Sequence, residues 1–171
     1  MAEIVRMLKA PFPYFGGKSR IAPLIWERFG DVRNFVEPFF GSGAVLLSRP
    51  HSQKIETVND KDSMICNFYR ALRASPSDVA TWADDRVDEA ELHARHLWLV
   101  RNAAFNDEWR ERIMTEPDFY DAKVAGRGTR NWRVRVGSVW HGRHTVDMDY
   151  RVNCAVGITA FGSAFGSARI V

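Results

Sequence analysis

Glu37, Asp60 and Lys18 are the charged residues whose surroundings suit them to chemistry. Glu37 opens the run Glu37-Pro38-Phe39-Phe40-Gly41-Ser42-Gly43, Asp60 closes Ile55-Glu56-Thr57-Val58-Asn59-Asp60, and Lys18 follows Tyr14-Phe15-Gly16-Gly17. A carboxylate that ends a short apolar run and precedes a glycine turn lies where open α/β sheets bind ligands, at the carboxyl ends of their strands. Gly41 and Gly43 let the backbone turn tightly and approach a ligand with no Cβ in the way. An acidic residue about 20 residues past such glycines, at the tip of the next strand, is placed to bind two ribose hydroxyls. Asp60 fits that position. The run Gly41-Ser42-Gly43-Ala44-Val45-Leu46 has Leu46 where a dinucleotide fingerprint has its third glycine, so no pyrophosphate clamp is spelled out. The ligand read from these residues is an adenosine without phosphates, of which S-adenosylmethionine is the common one.

The elements needed to position these groups can be read along the chain. Residues 1–13, with Pro11 and Pro13, form an extended lead. Gly17-Lys18-Ser19 has the ending of a P-loop, but Phe12 stands where that motif needs its first glycine, and the prolines argue against a preceding strand. A glycine bend presenting Tyr14 and Lys18 to a site is the better reading. A helix follows, with Ser19 as a candidate cap and Ile21, Leu24, Ile25 and Phe29 as its apolar face. Phe35 and Val36 suit a buried strand, Pro38 ends it, and Ala44–Leu47 starts a helix. After the second strand, Asp62 caps a helix over 63–74 with Met64, Ile65, Phe68, Tyr69 and Leu72 at helical spacing.

Ser75-Pro76 opens a short helix to about Trp82, and Asp88 a longer one through Leu92, Leu97, Val100 and Ala104. Asn106 or Asp107 starts another to Met114, and Glu116-Pro117-Asp118 a last one to near Gly126. His93 and His96 have no cysteine or carboxylate placed to complete a metal site and read as surface or satisfied histidines. Residues 127–151 interleave Arg127, Arg130, Arg133, Arg135, Arg143 and Arg151 with Trp132, Trp140 and Tyr150. That pattern suits either a phosphate-tracking, base-stacking surface or a solvated basic ribbon. The tandem Phe161-Gly162-Ser163-Ala164 and Phe165-Gly166-Ser167-Ala168 make 152–171 a low-complexity tail, expected to be poorly ordered.

A chain of 171 residues suffices for one domain with a real core. Its net charge of +3, carried mostly by arginine, is compatible with nucleic acid without demanding it. Cys66 and Cys154 make neither a disulfide framework nor a metal site. No signal peptide and no apolar run of spanning length is seen, so a cytoplasmic protein without membrane contact is expected.

Three stretches together resemble the Dam-like DNA adenine-N6 methyltransferases: Tyr14-Phe15-Gly16-Gly17-Lys18, Glu37-Pro38-Phe39-Phe40-Gly41-Ser42-Gly43 and Asn59-Asp60. The match covers residues 11–74 in order and spacing. It implies an α/β fold, the N-terminal part of a Rossmann-like S-adenosylmethionine-dependent methyltransferase, with a mostly helical insert. Residues 1–74 would be the cofactor-binding half, 75–151 a helical insert of DNA-recognition type, and 152–171 the tail. The cofactor-binding residues implied are Tyr14, Lys18, Glu37, Phe39, Gly41, Gly43 and Asp60. Tyr14 would pack near the cofactor, Lys18 would reach its carboxylate, Glu37 and the Phe39–Gly43 turn would shape the methionine pocket, and Asp60 would hold the ribose. Arg127, Arg130, Arg133 and Arg135 are the candidate contacts to double-stranded DNA. The family's catalytic Asp-Pro-Pro-Tyr does not occur in the sequence, and Asp147-Met148-Asp149-Tyr150 has only its outer residues. No catalytic residue is assigned. A truncated member of the family is expected, inactive alone: a non-catalytic cofactor- and DNA-binding fragment, or one half of a split enzyme completed by another chain.

Overall fold

The computed structural model describes residues 8–14, 16–52, 54–84, 88–104, 106–129 and 169–170. Its centre is a short parallel sheet. β1 (Asn34–Glu37) pairs with β2 (Ile55–Val58), with Phe35 opposite Glu56 and Glu37 opposite Val58. A third strand, β3 (Arg169–Ile170), pairs in parallel with β2 through Thr57–Arg169 and Val58–Ile170. The sheet order is thus β1-β2-β3, and helices and strands together make an α/β architecture. The pairing at 169–170 departs from the expected disorder of the tail, because the short β2 offers ladder groups on its far side. The rest of the tail, and the basic run from 130 onward, lie outside the described residues.

Strand polarity sets which side chains are covered. Phe35, Glu37, Glu56 and Val58 face inward and are buried. Val36 was expected in a buried strand but is 65% exposed, because alternate residues of a strand point to opposite faces. Glu56 is tolerated inside by Arg49, whose Nη1 lies 3.0 Å from Oε1. Nη2 of Arg49 donates to the Val32 carbonyl at 2.6 Å, and its guanidinium lies 5.0 Å from the Trp26 ring. A buried charge needs such partners.

The first helix, α1 (Ala22–Phe29), has Pro23 in its first turn, where no N–H is needed. Its N-cap is Ile21, with no side-chain cap, so Ser19 does not take that role. Its buried face is only partly the expected one. Ala22 and Trp26 are buried and Ile25 packs half-buried against the core, whereas Ile21, Leu24 and Phe29 are exposed. Trp26 decides the orientation: its indole donates to the Val45 carbonyl at 2.7 Å, and its ring stacks on Phe35 with centroids 4.7 Å apart. α2 (Ala44–Leu47) follows the glycine turn and is buried throughout.

α3 (Ser63–Ala74) is the central post. Asp62 caps it by accepting from the Met64 N–H at 2.9 Å, as its sequence predicts. Ile65, Phe68, Tyr69 and Leu72 are buried against the sheet side, while Met64 and Cys66 pack on a second apolar cluster of Leu99, Ala103, Trp109, Ile113 and Val124. Full burial of each large apolar side chain contributes about 1.5–3 kcal/mol.

The remaining helices pack around this post. They are α4 (Pro76–Ala83), α5 (Glu89–Leu99) continuing into a π-helical turn at Val100–Ala104, α6 (Asp107–Thr115), and α7 over 122–129. α5 buries Arg95 and Leu99 rather than Leu97, which is exposed. The last helix does not begin at Glu116. The chain turns there, with Phe119 N–H bonding the Glu116 carbonyl at 3.1 Å, and Asp121 caps α7 through the Val124 N–H at 2.9 Å. Asn67 of α3 locks this segment by a reciprocal pair of hydrogen bonds with the backbone of Asp121, at 2.9 and 2.7 Å. No helix among the described residues is long and apolar enough to cross a membrane.

Candidate active site

The turn after β1 and the residue after β2 meet at the carboxyl end of the sheet. Gly41 and Gly43 adopt φ of +55° and +67°, in the left-handed region that favours glycine. A Cβ on Gly41 would lie 3.0 Å from the Tyr14 ring, and one on Gly43 would lie 2.8 Å from Phe40 Cζ. Both positions favour glycine for conformation, and Gly43 also for space, since a Cβ there would have to displace the Phe40 ring. Asp60 ties the two strand ends together: Oδ2 accepts from the Gly41 N–H at 2.7 Å and Oδ1 from the Asp62 N–H at 3.0 Å.

Lys18 reaches the same place from the N-terminal bend. Its Nζ lies 2.6 Å from Glu37 Oε1 and donates to the Phe39 carbonyl at 2.5 Å. Gly17 closes that bend, its N–H bonding the Tyr14 carbonyl at 2.9 Å. Glu37 is only 4% exposed. Burial pushes its carboxyl above the usual range, and this outweighs the ammonium of Lys18 and the Leu46 N–H, both of which favour the charge. Tyr14 is also raised, first by burial and then by the carboxylates of Asp60 and Asp62, so it stays a neutral phenol. Burial raises Asp62 as well, against the pull of the Met64 N–H that it caps.

These groups surround a cavity of about 380 Å³ lined by Tyr14, Gly16, Gly17, Lys18, Phe39, Phe40, Gly41, Ser42, Ala44 and Asp60. That volume lies within the range of small-molecule sites. Of the seven residues singled out from the sequence, Tyr14, Lys18, Phe39, Gly41 and Asp60 line it, while Glu37 and Gly43 stand behind the wall. Phe39 is 77% exposed at the rim. The contribution of Ala44 was not anticipated; its place directly after the second glycine was the available signal.

The chain matches the D12 class N6 adenine-specific DNA methyltransferase family over residues 14–126, well over half of its length. It belongs to that family. It is also similar to the DNA N-6-adenine-methyltransferase of Escherichia phage P1, 28% identical over 97 residues. That match covers 57% of this chain and 12% of the phage protein, so the chain spans a small part of its relative's length. The family match begins at Tyr14, the first residue of the cavity wall, and takes in Asp60, α1 to α6 and the first part of α7.

The donor set suits the cofactor expected of a D12 class methyltransferase. Lys18 has three N–H donors, of which Glu37 and Phe39 take two. The Asp60 carboxylate offers about four lone-pair sites, of which Gly41 and Asp62 take two. One cation donor and the two remaining acceptor sites of a carboxylate thus share one aromatic-walled cavity. Of the candidate DNA contacts, Arg127 lies on α7 with its guanidinium carbon 5.2 and 4.8 Å from the Trp82 and Trp98 rings. Arg130, Arg133 and Arg135 lie outside the described residues.

Proposed function

We propose that this chain holds S-adenosylmethionine for an adenine-N6 DNA methyltransferase, and that residues 14–60 do the holding within a Rossmann-like sheet. One observation supports this most strongly. Three stretches far apart in sequence bring Tyr14, Lys18, Phe39, Gly41 and Asp60 to one cavity at the strand ends. The cofactor, when bound, supplies a methyl group on an electron-poor sulfonium. Asp60 accepts from the two ribose hydroxyls with its remaining lone pairs, and Lys18 gives its third N–H to the cofactor's carboxylate. Tyr14 and Phe39 wall the pocket. Glu37 holds Lys18 from behind, and Gly43 keeps the turn tight enough for Gly41 to approach. Double-stranded DNA is the partner, met by the arginines from Arg127 through Arg135.

Holding the target amino group requires acceptors aimed at its protons as charge develops. In the family this falls to Asp-Pro-Pro-Tyr, which the 171 residues do not contain. We assign that step to a complementing chain. The test is transfer of labelled methyl from the cofactor to unmethylated duplex DNA, by the chain alone and with neighbouring gene products added. The expected outcome is background transfer alone and activity on completion. Clear single-turnover adenine methylation by the chain alone would overturn the assignment, and its loss in Asp147→Ala would move the acceptors to Asp147–Tyr150.

A further inference from the structure

We propose that Glu37 takes up a proton from solvent when the cofactor's carboxylate engages Lys18, which makes Glu37 a positioning residue through which cofactor affinity follows pH; the inference rests on the cofactor reading above. Lys18 stands between the two anions. Its Nζ lies 2.6 Å from Glu37 Oε1 and 2.5 Å from the Phe39 carbonyl, and its side chain lines the cavity. Glu37 lies behind the wall, with both carboxylate oxygens sealed from solvent. A ligand carboxylate that takes the third N–H of Lys18 therefore shares one ammonium with Glu37. Two carboxylates that share a site do not both stay ionised at ordinary cost: one is driven to hold a proton.

The surroundings decide which one. An α-carboxyl is the more acidic of the two and is met in an open cavity. Glu37 is buried, and burial is already the largest influence on it. The groups that face it come from four places. Lys18, from the bend before α1, and the Leu46 N–H of α2 favour its charge, whereas Asp60 at the end of β2 opposes it. Tyr69 of α3 faces it as a neutral phenol, held so first by burial and then by Glu37 and Asp60. Drawing Lys18 toward a second carboxylate weakens the main group that keeps Glu37 ionised. The cofactor's sulfonium and ammonium act in the opposite sense, so the sign of the proton exchange tells which influence governs. With uptake, the complex holds more protons than the free chain. Affinity is then greatest below the free carboxyl's pKa and falls as pH rises toward that of the complex.

The experiment is calorimetric titration of the folded, full chain with S-adenosylmethionine, in buffers of different ionisation enthalpy and over a series of pH values. It should read net proton uptake, with affinity falling by at most about tenfold per pH unit, the limit for one proton. Glu37→Gln should abolish the uptake and flatten the pH profile, which a merely structural role would not do. S-adenosylhomocysteine, which keeps the carboxylate and lacks the sulfonium, should still show uptake; 5′-methylthioadenosine, which lacks the carboxylate, should show none. Cofactor binding with no proton exchange or with release, or uptake undiminished in Glu37→Gln, would overturn the inference and leave the cofactor reading standing. No binding by the folded wild type would overturn both. Should Glu37→Gln fail to fold by circular dichroism, the wild type decides: equal uptake with S-adenosylhomocysteine and 5′-methylthioadenosine would overturn the inference, and uptake confined to the carboxylate-bearing ligand would support it.

Discussion

Lys18, Glu37 and Asp60 each do structural work before any ligand arrives. Glu37 is buried behind the cavity, and burial lifts its pKa above the ordinary carboxyl value in spite of Lys18 at 2.6 Å. The folded state therefore holds the proton more tightly than the unfolded chain does. Between the unfolded and folded pKa values the folded state binds more protons, so Glu37's contribution is present below the unfolded pKa and lost as pH rises through the folded one. We predict that Glu37→Gln removes this fall. Urea denaturation from pH 4 to 8 should show the variant gaining on the wild type as pH rises; a constant difference would mean that the ion pair fully offsets burial. The glycine turn and Asp60 were legible in the sequence because geometry demands those residue types there. That Glu37 stands behind the wall was not legible: strand alternation fixes its face only once the covered side of the sheet is known.

Among the elements, caps were read well and buried faces less well. Asp62, Asp88 and Asn106 each accept from a first-turn N–H, and the helices they open begin where the sequence suggests. Ser19 and Glu116 misled because a hydroxyl or carboxyl near a helix start is common in turns too. On α1 the spacing of Ile21, Leu24 and Phe29 pointed one way, while a single Trp26, with an indole hydrogen bond and a ring contact, turned the helix another. Two further outcomes follow from packing. Gly126→Ala should destabilise the fold by about 1–3 kcal/mol, because its Cβ would meet backbone that cannot yield. Glu56→Ala should cost about 3–5 kcal/mol by stranding the Arg49 guanidinium inside. Chemical denaturation measures both. A loss under 1 kcal/mol for Glu56→Ala would mean that Asp31, whose Oδ1 lies 3.7 Å from Nη2, together with Val32 and Trp26 suffices for Arg49.

Over the whole molecule, α3 is the wall shared by the sheet-side core and the helical cluster, and Asn67 and Arg70 pin the distant backbone of 113–121 to it. A motif reading ending at residue 74 saw a boundary after α3. The contacts that cross it come from residues 43 to 54 positions away, beyond the reach of local periodicity. The cavity is built at the strand ends, and α3 packs beneath them through Ile65, Phe68 and Tyr69. The most direct test of the account is therefore calorimetric titration of the folded, purified chain with S-adenosylmethionine. It predicts saturable binding of one cofactor per chain, weakened by about 1.5–3 kcal/mol in Asp60→Asn, which removes the charge but keeps an acceptor for the Gly41 N–H. No binding by the folded wild type, or equal affinity in the variant, would contradict it.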